Sequence, residues 1–199
     1  MSLTAHWERQ YQKTRPIWDA DRPTSEVVRV VTTEGIRPGK ALELGCGTGA
    51  NAVWLALQGF EVTAIDLSSS AIHQARQRAQ RAGVTVRFHV GDLRRLKRPR
   101  EPFDFFLDCG CYGAVQLEDV LGYLQALERQ TARGSMGLVL TGNDREPEDE
   151  AGPPTLPREK LLRDFGRSFE VICLREFRFD PEQGGGKRYL GWSCQLRRC

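Results

Sequence analysis

Lys40–Gly49 reads KALELGCGTG, and this stretch decides the fold. Four residues, Ala41–Leu44, carry the apolar pattern of a short buried strand, interrupted only by Glu43. Three glycines follow at 45, 47 and 49, and then the run ANAVWLAL opens a helix. Glycines at this spacing let the backbone turn sharply and approach a ligand closely, while the helix N-terminus presents unpaired N–H groups to it. Strand, glycine loop and helix in that order form a nucleotide-cofactor loop. Seventeen residues past Gly49 a second strand pattern, EVTAID, ends in Asp66, placed to accept hydrogen bonds from ribose hydroxyls.

Two cofactor classes fit the glycines. Read as Gly45-x-Gly47-x-x-Ala50, the loop satisfies the loose dinucleotide fingerprint. Glu43 separates the two readings by charge. A carboxylate two residues before the first glycine repels a pyrophosphate but attracts the α-amino group and sulfonium of S-adenosylmethionine. NAD-dependent reduction also needs a second region for substrate, for which 199 residues leave little room. The methyl donor is therefore the expected cofactor, with S-adenosylhomocysteine as product.

Outward from the loop, strand and helix patterns alternate. Strands are expected at about 41–44, 61–65, 84–89, 103–107, 137–141, 170–178 and 189–196, with helices between them. Two helices are well marked: 25–33, with Thr24 or Ser25 as cap, and 69–81, capped by Ser68 or Ser69. Only the turn-forming DPEQGGGK separates the last two strands, which predicts a closing antiparallel hairpin. The expected fold class is α/β: a Rossmann-like, seven-stranded, mostly parallel sheet with helices on both faces and a C-terminal antiparallel β-hairpin. One domain over 1–199 is expected, with 1–24 as an N-terminal lid segment and 25–199 as the core. Arg145–Pro157, rich in proline and acids, reads as a long exposed loop.

Composition bounds the partners. A net charge of +3 and a pI near 8.6 are only mildly basic, and the basic run Arg94–Arg100 (RRLKRPR) has no aromatic interleaved for base stacking, so no nucleic-acid partner is expected. The run reads as a solvated loop. No apolar stretch reaches the roughly 18 residues that span a bilayer, and no targeting segment is evident, so no membrane partner and a cytoplasmic location are expected. Six irregularly spaced cysteines in a chain of this length suit a reducing compartment. Cys109-x-Cys111 has the wrong spacing for zinc, and no metal site is expected.

These motifs, with the N-terminal Trp7-x3-Tyr11 and Pro16-x-Trp18-Asp19, with AIDLSSSAI, with Gly91-Asp92-Leu93 and with FDFFLDCGCY, resemble the class I S-adenosylmethionine-dependent methyltransferases. Within that superfamily the chain is similar to the small thiopurine, thiol and halide methyltransferases and the tellurite-resistance methyltransferases, from Trp7 to Arg198. The resemblance implies that Glu43 and Gly45 meet the methionine part of the donor, with Cys46 and Gly47 in the same loop. It implies Asp66 on both ribose hydroxyls, Leu67 on one adenine face, and Asp92 and Leu93 on the adenine amino group and ring. Asp108 and Cys109 end the fourth strand at the cofactor, and Trp18, with Trp7 and Tyr11, belongs to a segment closing over donor and acceptor. Tyr112 either faces the acceptor or fills the start of the next helix. Arg145, or else Arg175 or Arg178, orients an anionic acceptor or is surface charge.

The fourth-strand motif departs from many relatives, which carry Arg where this chain has Cys109 and His where it has Gly113. No catalytic base is evident in the sequence. A small-molecule acceptor is expected, a thiol or another soft nucleophile that ionises without a dedicated base. The departure also leaves open a catalytically silent donor-binding or interaction protein, with NAD-dependent oxidoreduction as a third reading.

Overall fold

A computed structural model of the chain describes residues 2–13, 16–147, 152–181 and 186–199. Its elements are α1 (Leu3–Lys13), α2 (Ser25–Thr33), β1 (Lys40–Leu44), α3 (Ala50–Leu57), β2 (Glu61–Asp66), α4 (Ser69–Ala82), β3 (Arg87–Val90), β4 (Phe103–Cys109), α5 (Cys111–Gln130), β5 (Thr131–Asn143), β6 (Thr155–Leu156), α6 (Arg158–Phe165), β7 (Phe169–Arg178) and β8 (Leu190–Arg198). The sheet runs β3-β2-β1-β4-β5-β8-β7, with β6 paired to β5. Every pairing from β3 to β5 is parallel, as is that of β6. Only β8, inserted antiparallel between β5 and β7, reverses the direction.

Alternation along the strands sends apolar side chains to opposite faces, where two cores form. Ala41, Val62, Ala64, Phe105, Leu107 and Leu138 pack beneath α2, α3 and α4. Leu42, Leu44, Phe106, Val139 and Trp192 pack beneath α5 and α6. Strand order reverses at β1, between β2 and β4, so the C-terminal ends of these strands open a crevice at the glycine loop, the place where doubly wound sheets bind ligands.

Several expectations are corrected in detail. The third strand is shifted from 84–89 to Arg87–Val90, because Gly83 ends α4 in a left-handed cap and Val84 N–H still bonds the helix carbonyl of Ala79. Strand β5 starts at Thr131 rather than 137, directly after α5. Instead of remaining an exposed loop through 157, the segment after β5 adds the two-residue β6, with Leu156 buried under the Trp192 indole N–H. It is an eighth strand. Residues 3–13 form a helix not expected from the sequence, and the crossover from β3 to β4 carries only a single 3-10 turn, Leu93–Arg95. Prolines 99 and 102 and the dense charge of 94–100 deny that crossover an amphipathic stripe. The turn-forming residues 182–185 of the last hairpin lie outside the described residues.

Helix α4 is capped as expected by Ser68, whose Oγ accepts from Ala71 N–H at 3.0 Å and donates to Glu8 at 2.8 Å. Ser68→Ala should lower stability by about 1 kcal/mol, read as a reduced denaturant midpoint at unchanged slope. Helix α2 starts differently: Thr24 occupies the cap position without a capping bond, and Asp180, 155 residues from Ser25, accepts from the Ser25 amide at 2.8 Å and hydroxyl at 2.7 Å. Among the described residues no helix is long and apolar enough to cross a membrane.

Candidate active site

Glu43 sits near the end of β1, 2% exposed. Its Oε1 accepts from Asn51 Nδ2 at 3.3 Å, and the Ala52 amide bonds the carboxyl as well. Oε2 has no partner among the described residues. Burial pushes this carboxyl up to about 8, with the Asn51 and Ala52 bonds opposing the rise. A buried, half-satisfied carboxyl is costly unless a donor group completes it.

Beyond Glu43 the loop turns through three left-handed glycines, 45, 47 and 49. At Gly45 (φ 64°) an added Cβ would stand 2.6 Å from Cys111 Cβ, and at Gly47 (φ 53°) 2.8 Å from the Tyr11 hydroxyl. Both positions therefore require glycine for conformation and for room. Cys46 between them is buried, and burial raises its thiol pKa well above the ordinary value.

Asp66 ends β2 and is tied to this loop. It accepts from Gly47 N–H at 2.8 Å and from Ser68 N–H at 2.9 Å. Burial raises its pKa and these amides oppose the rise. Leu67, half-buried, lines a cleft of about 820 Å³ together with Val90, Gly91, Asp92 and Arg94. Asp92 faces this cleft but is already engaged by Arg94, whose side chain holds its carboxyl below the ordinary range. Leu93 is buried in the turn that follows.

The N-terminal segment lies across the loop. Trp18 Nε1 donates to the Tyr11 hydroxyl at 3.3 Å, and Trp7 meets Trp18 edge-on with ring centroids 5.8 Å apart. The Glu8 carboxylate takes bonds from Ser68, Ser69 and Ser70 at the α4 N-terminus, which holds it down to about 2 with the Ser70 hydroxyl as the largest cause. Thr48 donates to Asp19, and Arg78 bonds both the Thr48 carbonyl at 3.0 Å and the Asp21 carbonyl at 2.9 Å. Glu8 and Arg78 were not singled out by the sequence. Their signal was available only as the serine run at a helix start and a cation one turn from that helix's end.

Burial moves two expected site residues into the core. Asp108 is fully buried: its carboxylate accepts from the Tyr112 amide at 2.9 Å and the Tyr123 hydroxyl at 2.8 Å. It anchors the start of α5. Tyr112 packs against Tyr123 and Phe165, fully buried, with its hydroxyl donated to Asp164 at 2.7 Å, so the helix-filling alternative is the one observed. Cys109 stays at the strand end, its sulfur 3.5 Å from the Thr24 hydroxyl. Arg145 lies just past β5, exposed and paired with Glu176 at 2.8 Å; Arg175 pairs with Glu26 and Arg178 with Glu146. All six cysteines are free thiols.

A family model described as a methyltransferase domain matches residues 41–134, spanning the glycine loop, Asp66 and Asp108. Over 157 residues the chain is 32% identical to a protein-L-isoaspartate O-methyltransferase of Methylorubrum populi, covering 75% of this chain and 67% of that one. The chain belongs to the S-adenosylmethionine-dependent methyltransferases.

This methyltransferase is also 29% identical over 182 residues to a 2-heptyl-1-hydroxyquinolin-4(1H)-one methyltransferase of Mycobacteroides abscessus, covering 88% of this chain and 80% of the relative. Among solved structures it matches one concerned with conversion of a disulfide bond into a thioacetal group during echinomycin biosynthesis. That match has a TM-score of 0.83 at 27% identity, over 99% of this chain and 92% of that chain. The orphaned Glu43 oxygen, the side-chain-free turn at Gly45 and the cleft beside Leu67 fit the donor that the family uses. Bound S-adenosylmethionine supplies a methyl group activated by its sulfonium.

Proposed function

We propose that the enzyme methylates a thiol or another soft nucleophile on a small molecule. The observation that carries this reading is the commitment of Asp108: the carboxylate at the end of β4 already serves the α5 amides and Tyr123, and burial pushes it up to about 7. What surrounds the end of β4 instead is sulfur and hydroxyl, Cys109 against Thr24 and Cys111 against Gly45. Such a site aligns and dehydrates its reactants, which can supply on the order of 7–11 kcal/mol without proton transfer. A thiol, with an ordinary pKa of about 8.5, provides its own anion near neutral pH. The sulfur chemistry named for the echinomycin structure is in keeping with this.

In this reading Glu43, Gly45, Cys46 and Gly47 hold the methionine part of the donor, Asp66 its ribose, and Leu67, Asp92 and Leu93 its adenine. Trp18, Trp7 and Tyr11 close the site, with Cys109 and Arg145 toward the acceptor. The test is transfer of labelled methyl to a panel of thiols, amines, halides, chalcogen oxyanions and N-hydroxylated heteroaromatics. Transfer to thiols, with a rate rising tenfold per pH unit below the thiol pKa, is expected. Transfer confined to oxygen or nitrogen acceptors overturns the soft-nucleophile reading, and donor binding without transfer to any of them favours the silent alternative.

A further inference from the structure

We propose that Arg94 is a positioning residue which couples the adenine end of the donor cleft to the first two turns of α5. The proposal rests on the reading of Asp92 as the acceptor for the adenine amino group. Four contacts run from Arg94 to that one carboxylate. Nε reaches Oδ1 at 2.9 Å and Oδ2 at 3.1 Å, Nη2 reaches Oδ2 at 2.7 Å, and the backbone amide reaches Oδ1 at 2.9 Å. Three N–H groups make these four contacts, the single Nε hydrogen being shared between both oxygens, so an incoming amino donor competes with that shared bond for the fourth lone-pair direction and loosens the guanidinium.

The loosened group has somewhere to go. Arg94 Nη1 already lies 3.8 Å from Glu118 Oε2 and 3.7 Å from Asp119 Oδ2, within ion-pair range but beyond hydrogen-bond length. Its backbone stays anchored, because Arg129 donates to the Arg94 carbonyl at 2.7 Å.

Glu118 and Asp119 stand at the one place where α5 is broken. Asp119 has φ −157° and ψ 76°, and its Oδ1 accepts from Gly122 N–H at 2.8 Å, so it acts as a fresh N-cap for the second half of the helix. The first half, 111–118, is thereby a separate short rod. It starts at Cys111, packed on Gly45 of the donor loop, and at the Tyr112 amide held by Asp108. Moving one guanidinium from Asp92 toward Glu118 and Asp119 draws on the joint of that rod, and so carries adenine occupancy to the turn beside Cys109 and Cys111.

Hydrogen exchange with S-adenosylhomocysteine as the probe tests this without an acceptor. In the wild type, the probe should change the protection of amides 111–121. Arg94→Gln, which leaves Asp92 open, should bind the probe at least as tightly and lose that change. Glu118→Gln combined with Asp119→Asn, which keeps the cap on Gly122, should also bind and lose it; this pair keeps the test alive if Arg94→Gln does not fold. An unchanged 111–121 segment in the liganded wild type overturns the proposal. So does the same protection change in either variant, or failure of a folded variant to bind. Failure of the wild type to bind the probe is a different result, and overturns the donor assignment itself.

Discussion

Replacing Asp66 by alanine should weaken binding of S-adenosylhomocysteine by roughly a hundredfold or more while leaving the fold intact. The ribose of the donor presents two hydroxyls, and hydrogen bonds to a charged partner contribute about 1.5–3 kcal/mol each, so loss of both exceeds the roughly 2.8 kcal/mol that a hundredfold represents. Calorimetric titration measures the affinity, and a thermal scan separates binding from folding. The separation matters because Asp66 also holds the Gly47 and Ser68 amides. Asp66→Asn, which keeps one acceptor oxygen, should retain more of the loop geometry and fall between wild type and alanine in affinity. An alanine variant that binds as the wild type does would remove Asp66 from the ribose site.

The second large effect is on stability against pH. Glu43 is pushed up to about 8 and Asp108 to about 7, both chiefly by burial, from ordinary values of 4.5 and 3.8. A carboxyl whose pKa is higher folded than unfolded holds its proton longer in the folded state. Stability is then fullest below the unfolded pKa and declines as pH rises toward the folded one. The donor-free protein should therefore lose thermal stability between about pH 4.5 and 8. A tenfold difference in proton affinity between the folded and unfolded chain corresponds to about 1.4 kcal/mol, so Glu43 alone contributes on the order of a few kcal/mol across that window. Glu43→Gln keeps the shape and cannot ionise; it should flatten the decline above pH 7, leaving the part due to Asp108. Below pH 4.5 the sign reverses, because Glu8, lowered to about 2 by its serine partners, loses them as it is protonated. S-adenosylhomocysteine, whose amino group completes Glu43 in the proposed site, should also reduce the decline. Midpoints at a series of pH values for the wild type and Glu43→Gln, with and without the ligand, check all four; a wild type flat from pH 5 to 8 would contradict the burial of an incompletely paired Glu43.

How much was legible differs between the two halves of the site. The donor side is local. Strand β1, the glycines and the start of α3 are contiguous, and Asp66 follows at the end of the very next strand, so the period, spacing and charge that suggest a donor site lie close together along the chain. The side next to the fourth strand is not local. Whether Tyr112 faces a cleft or a core depends on Phe165 and Asp164, about 50 residues away on α6, and Asp108, at the end of β4, is held inward by Tyr123 from the second half of α5. No pattern within FDFFLDCGCY reports those partners. The α1 helix was missed for a similar reason: its residues are polar, and what holds it is Glu8 on the serines of α4 and Tyr11 over Gly47.

The sequence by itself determined that this is a doubly wound α/β chain with a terminal antiparallel strand pair, and that its cofactor is a cationic methyl donor. Those conclusions rest on strand period, glycine placement and the sign of one charge, all of which are short-range. Only the tertiary structure decided that Asp108 and Tyr112 belong to the core, that the N-terminal helix is pinned over the glycine loop, and that Arg94 stands among three carboxylates. The physical reason is that burial and ion-pair choice are set by which side chains converge from distant elements, and convergence exists only after the sheet has formed.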